Sequence, residues 1–203
     1  MIIAIVGHGK VGGTLAQRWA NRGHSVIVGT RKPANDRLDR LTKHPGISSL
    51  PIPEAIRKAE VILVATPPHV ARELVETFGD IGGKILVDAT NCVRSKPEDY
   101  PTAYHVFEDL TRAEVVKCFN STGYENMDDP RYGEVSLDMF MAGSSTIAKK
   151  AASELAVDCG FDHCYDFGGS DQVELLEKLA LAWINLAVIQ GHGRHSGFKF
   201  LQK

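Results

Sequence analysis

The stretch Gly7-His8-Gly9-Lys10-Val11-Gly12 follows an apolar run, Ile2 to Val6, and opens a segment of helical period from about Lys10 to Arg22. Glycines at this spacing make a phosphate cradle. Gly7 takes a tight turn, Gly9 leaves bare backbone for a pyrophosphate to approach, and Gly12 lets the helix pack closely on the strand. The helix N-terminus adds unpaired N–H groups and a favourable dipole. Lys10 and Val11, which start the helix, belong to the same expected contact set; for His8 only the backbone need matter.

A dinucleotide site of this kind usually carries Asp or Glu at the end of the second strand when it selects NAD, because a carboxylate accepts bonds from both ribose hydroxyls. Here that position reads Gly29-Thr30-Arg31-Lys32. A carboxylate would repel a 2'-phosphate, whereas a hydroxyl, a guanidinium and an ammonium surround it with charge-assisted bonds. The cofactor expected is therefore NADP(H), with Thr30, Arg31 and Lys32 around its 2'-phosphate. Ala65, Thr66 and Pro67 end another strand at the carboxyl edge, where such sheets bind ligands, and should flank the cofactor; His69 just beyond either touches it or stands exposed. Ala89 and Asn91 end the next strand and are the place expected for the nicotinamide, whose carboxamide needs backbone groups or a side-chain amide to set its face. Asn91 reads equally as a turn or cap residue.

The elements that must position these residues alternate between short β-branched runs and helical periods, the pattern of a doubly wound, mostly parallel α/β sheet of Rossmann type. Strands are expected at Ile2 to Val6, Ser25 to Val28, Ile47 to Leu50, Val61 to Ala65 and Lys84 to Asp88. Helices are expected at Lys10 to Arg22, Asp36 to Lys43, Pro53 to Lys58 and His69 to Phe78. Cys92 to Ala113 reads as a proline-containing connection, which puts a dinucleotide-binding core at 1–113 and a small C-terminal α/β extension at 114–203. That extension holds strands at Val115 to Phe119, Leu137 to Ala142 and Phe161 to Asp166, and helices at Thr146 to Cys159 and Val173 to Gln190. The last helix is too rich in Leu and Ala to stand alone, so part of it is expected to meet a second subunit in a homodimer.

The 203 residues are 43% hydrophobic and 24% charged with a formal charge of -2, an ordinary globular balance with no polyanion-binding character, so no nucleic-acid partner is expected. Met1 to Val6 reads as a strand rather than a leader, and no stretch reaches spanning length, so the protein is expected in the cytoplasm without a membrane partner. Cys92, Cys118, Cys159 and Cys164 lack metal-type spacing and read as reduced thiols; the scattered histidines give no metal site, and His192-Gly193-Arg194-His195 reads as a flexible turn before the tail.

Taken together, the glycine loop, Gly29-Thr30-Arg31, Val87-Asp88-Ala89-Thr90-Asn91, Val116-Lys117-Cys118-Phe119-Asn120, Phe140-Met141-Ala142-Gly143, Asp166-Phe167-Gly168 and the Leu176 to Gly191 helix resemble the NADPH-dependent reductases of coenzyme F420. The resemblance implies direct hydride transfer between NADPH and a stacked deazaflavin or flavin-type acceptor, with no catalytic acid or base. It also implies a C-terminal part that walls the acceptor and makes the dimer contact. A Gly-Asp-Asp common in that family is Gly143-Ser144-Ser145 here. Membrane ferric reductases use a similar domain to pass electrons to flavin.

Two other readings stay open. A β-hydroxyacid dehydrogenase or imine reductase would use a lysine after a glycine-rich turn, and Lys178 follows Gly168-Gly169 with Asn185 on the same helical face; the alternative for Glu174, Lys178 and Asn185 is a solvated stripe. The third reading is an NADPH-binding sensor without turnover.

Overall fold

A computed structural model describes residues 1–31 and 36–203. Eight strands form one sheet in the order β10-β9-β6-β5-β4-β1-β2-β3: β1 (Ile2–Val6), β2 (Ser25–Thr30), β3 (Ile47–Pro51), β4 (Val61–Val64), β5 (Ile85–Asp88), β6 (Glu114–Cys118), β9 (Met139–Ala142) and β10 (Cys164–Asp166). A short antiparallel hairpin, β7 (Arg131–Tyr132) and β8 (Val135–Ser136), stands apart from it. All pairings in the large sheet are parallel except that of β6 with β9. The order reverses beside β1, and at that switch point the carboxyl ends of β1 and β4 diverge into a crevice.

Strands β1, β4 and β9 are wholly apolar because both of their faces are covered. Alternate residues point to opposite sides, so Ile3 and Ile5 join one core and Ala4 and Val6 the other. The first core lies under α1 (Lys10–Asn21), α2 (Asp36–Leu41) and α7 (Thr146–Cys159); the second lies under α3 (Ile52–Lys58), α4 (Ala71–Phe78), α5 (Ala103–Leu110) and α8 (Val173–Ile184). A short α6 (Tyr124–Asp128) packs on α1. Trp19 ties α1 to the end of β6 and to α7: its ring, fully buried, meets Phe119 edge-on at 5.6 Å and its Nε1 donates to the Leu155 carbonyl at 3.0 Å.

The architecture is the doubly wound α/β fold with an α/β extension, and three local expectations need correction. The connection from Cys92 to Ala113 contains α5, whose Tyr104 and Phe107 are buried; Pro97 and Pro101 bring it to its start and do not interrupt it. The last helix is α-helical only to Ile184 and continues as a π-helical turn over Asn185–Ile189. His192 to His195 is a pinned segment, because Arg194 makes a two-pronged pair with Glu125, Nε to Oε1 at 2.6 Å and a terminal nitrogen to Oε2 at 3.0 Å.

The tail beyond it is clasped as well. Asp138, buried, accepts from Lys199 Nζ at 2.9 Å and from the Phe200 N–H at 2.8 Å, and Lys199 also reaches Asp162. Asp138, Asp162 and His163 gather their ligand atoms within 4.8 Å, and the Lys199 ammonium already bonds both carboxylates. Among the described residues no helix is long and apolar enough to cross a membrane.

Trp19→Ala removes a filled core volume and leaves the Leu155 carbonyl unpartnered. It is expected to cost about 3–5 kcal/mol in stability, measured by denaturant unfolding.

Candidate functional site

A cavity of about 520 Å³ opens at the switch point, lined by Val6, Gly7, His8 and Gly9 from the β1–α1 turn, Gly29, Thr30 and Arg31 from the end of β2, Arg37 from α2, and Ala65, Thr66 and Pro67 after β4. Gly7 has φ +99°, and a β-carbon on it would stand 2.5 Å from the Ala65 carbonyl oxygen. On Gly12 a β-carbon would stand 2.0 Å from the Gly7 oxygen, so this glycine lets α1 start hard against the turn. At Gly9 a β-carbon would meet nothing within 4 Å; open space lies in front of this backbone, as a phosphate group requires. The residues present thus fit a dinucleotide.

Thr30 and Arg31 stand at the β2 end with no carboxylate beside them in the chain. Arg31 reaches Glu73 across the cavity at 3.5 Å, but both side chains are mostly exposed, and such a pair contributes little. Lys32 lies outside the described residues. Lys10 turns to a neighbouring cavity of about 320 Å³, shared with Arg37, Arg40 and Tyr124, where its ammonium sits 4.9 Å from the Tyr124 ring centre. Val11 is half-buried against the first core. His69 lies in a single 3-10 turn, Pro68–Val70, and its Nδ1 is 3.5 Å from Ser95 Oγ; it does not line the large cavity. Ala89 and Asn91 follow β5, further along the carboxyl edge, and are not among the cavity's walls.

Beneath Ala89 and Asn91 lies a group to which sequence reasoning assigned no role. Lys117, on β6, is fully buried. Its Nζ donates to Asp88 Oδ2 at 3.0 Å and to the Thr90 carbonyl at 2.6 Å, and Glu177 of α8 brings Oε1 to 2.7 Å, an ion-pair contact without hydrogen-bond alignment. Burial works against the ammonium, but the Asp88 and Glu177 carboxylates outweigh it and hold Lys117 above the usual lysine range. Glu177 also accepts from the Cys92 N–H at 3.1 Å. Burial, followed by the Glu177 charge, pushes the Cys92 thiol up to about 11, and Cys118 is raised by burial and by Cys164, so both are protonated at neutral pH and neither is a thiolate nucleophile. A lysine inside the apolar run Val115-Val116-Lys117-Cys118 was the available sequence signal.

Lys178 stands exposed on α8, beside a small cavity with Glu174 and Cys92; Glu174 and Asn185 are exposed too, so these three form the solvated stripe. Trp183 is buried and donates Nε1 to the Ser196 carbonyl at 2.6 Å, and the Arg194 guanidinium lies 5.4 Å from its ring and 5.6 Å from that of Tyr124. This stack fixes the tail beside the glycine loop.

Residues 2–92 match the sequence model of the family described as NADP oxidoreductase, coenzyme F420-dependent. Among characterised relatives, the F420-dependent NADP reductase of Methanothermobacter thermautotrophicus is 24% identical over 98% of this chain and 94% of its own length. The rat metalloreductase STEAP3 is 29% identical over 78% of this chain, which spans only about a third, 32%, of that protein. A solved structure of a candidate F420-dependent NADP reductase from an Arthrobacter species superposes with a TM-score of 0.87 at 26% identity, each chain covered in full. Solved imine reductases and reductive aminases share the fold at 18% identity or less.

Two outcomes follow. Gly9→Ala leaves stability within about 0.5 kcal/mol, since its methyl meets open space, yet weakens dinucleotide binding at least tenfold, whereas Gly12→Ala lowers stability itself by at least about 2 kcal/mol; unfolding curves and a dinucleotide titration separate them. Lys117→Met leaves Asp88 buried without its counter-charge and costs about 3–5 kcal/mol, read from the denaturant midpoint.

Proposed function

We propose, for a chain whose residues 2–92 match the sequence model of the coenzyme F420-dependent NADP oxidoreductases, that it passes a hydride between NADPH and a deazaflavin or flavin-type acceptor. The observation that carries the cofactor half of this reading is the cationic end of β2. Thr30 and Arg31 open into the large cavity together with Arg37, and no acid replaces them at the position where NAD sites keep one. Gly7 and Gly9 hold the pyrophosphate, Thr30 and Arg31 take the 2'-phosphate, and Ala65 to Pro67 flank the adenosine.

When bound, the nicotinamide supplies or takes up the hydride. The protein's part is position and exclusion of water: no side chain has to donate or accept a proton for a hydride to move between two stacked rings. Residues 1–113 hold the dinucleotide in this reading, and residues 114–203 form the acceptor wall. The exposed apolar side chains of the last helix and its π turn, Leu175, Leu181, Leu186, Val188 and Ile189, cover one another in a homodimer. The acceptor class rests on the family relationship. An imine-reductase role for Lys178 is not favoured, since that amine stands in solvent on α8 and does not line the large cavity.

The test is a titration followed by stopped-flow oxidation. Wild-type protein should bind NADPH at least tenfold more tightly than NADH, Arg31→Ala should lose most of that preference, and NADPH should be oxidised by F420, FMN or FAD. Equal affinity for the two nucleotides would overturn the cofactor reading. Turnover of a small carbonyl or imine without any isoalloxazine-type acceptor would overturn the acceptor reading.

A further inference from the structure

Three buried polar atoms past the carboxyl ends of β5 and β6 have no hydrogen-bond partner in the protein: Asn91 Oδ1, Asn120 Oδ1 and Asn120 Nδ2. Asn120 is only 2% exposed, so both ends of its amide are shut away unsatisfied. Asn91 and Asn120 are direct neighbours, because Asn91 Nδ2 donates to the Asn120 backbone carbonyl at 3.1 Å. That bond also settles which end of the Asn91 amide is oxygen. Buried amides almost always find partners, and orphaned ones are costly.

The backbone supplies a second, independent sign. Phe119, immediately before Asn120, has φ +61° and is the only non-glycine residue among those described with a positive φ. An aromatic residue in the left-handed region is strained, and such strain persists where the surrounding structure over-determines it. Here it packs against the Trp19 ring and stands two residues after Lys117 of the buried ion cluster. The strained turn redirects the chain at Asn120.

The chemistry of the orphaned set defines its ligand. Two carbonyl acceptors and one NH₂ donor are the complement of a group with two N–H donors and one carbonyl, which is a primary carboxamide. The pyrimidine edge of a flavin or deazaflavin offers the opposite balance, two carbonyls and one N–H. The place agrees: the large cavity at the β1, β2 and β4 ends takes the adenosine half of a dinucleotide, and the next strand ends along the edge, β5 and β6, fall under its other half. We infer that Asn120, with Asn91, forms a carboxamide clamp that selects and orients the nicotinamide ring of the cofactor. This rests on the cofactor reading above and adds the residue that sets ring position.

The experiment compares ligands that differ only at this end. For wild-type, Asn120→Ala and Asn120→Asp proteins, affinities are measured by calorimetry for NADPH, for its 3-acetylpyridine analogue, which lacks the NH₂ group, and for 2',5'-ADP, which lacks the ring altogether. Wild type should prefer NADPH to the acetyl analogue; both variants should lose about tenfold in NADPH affinity and that preference, with 2',5'-ADP binding within twofold of wild type. Because the amide bonds no other protein group, Asn120→Ala should not lower the melting temperature. Equal losses for NADPH and 2',5'-ADP, an unchanged NADPH affinity, or a lower melting temperature would overturn the clamp, the second of these being what a water-filled amide pair predicts. If wild-type protein binds neither NADPH nor 2',5'-ADP, the cofactor reading falls and the clamp with it; if both bind and Asn120 does not tell them apart, the clamp alone falls.

Discussion

The Lys117 ammonium is the interaction on which the rest of the site depends. A charge with no solvent contact is tolerable only when opposite charges and hydrogen-bond acceptors enclose it. Asp88 from β5, the Thr90 carbonyl just past it, and Glu177 from α8 do so, tying two neighbouring strand ends and a helix that arrives sixty residues later in the chain to one point. Apolar packing of the same volume could hold these elements at least as firmly, but packing lacks direction. The ion cluster fixes the strand ends in one register relative to each other, and Ala89, Asn91 and Asn120 project from there.

The carboxyl edge of the sheet is divided into two chemically different halves. Around β1, β2 and β4 the chain offers bare backbone, a hydroxyl and guanidinium groups in an open cavity, features suited to phosphates and to a charged ligand arriving from water. Around β5 and β6 it offers closed, uncharged amides and a strained turn, supported from below by the buried cluster. Affinity can come from the first half and geometry from the second. A hydride transfer needs both, because its rate falls steeply when the donor ring is displaced, however tightly the phosphates are held.

The C-terminal segment acts on the same edge from the far side. Its helix supplies Glu177 to the cluster, and Trp183 and Arg194 stack toward Tyr124, whose other neighbour is Lys10 of the glycine loop. The clasp of Asp138, Asp162 and Lys199 then keeps the tail in place. A chain segment far from the glycine motif in sequence thereby borders it in space.

The sequence by itself determined the doubly wound sheet and its glycine turn, since strand runs, helical periods and glycine spacing are local patterns with local causes. Gly7, Gly9, Thr30, Arg31 and Thr66 could be brought to one cavity on paper because a parallel sheet sends every strand's carboxyl end to the same edge. Helix α5 was hidden by two prolines that precede it, and the change from α to π geometry at Asn185 leaves no mark in the hydrophobic period. What only the tertiary structure decided was which charges and amides are shut away together. Lys117 with Glu177, and Asn91 with Asn120, meet through the pairing of β5 with β6 and the docking of α8, and burial and mutual distance are properties of that packing, which no spacing along the chain encodes.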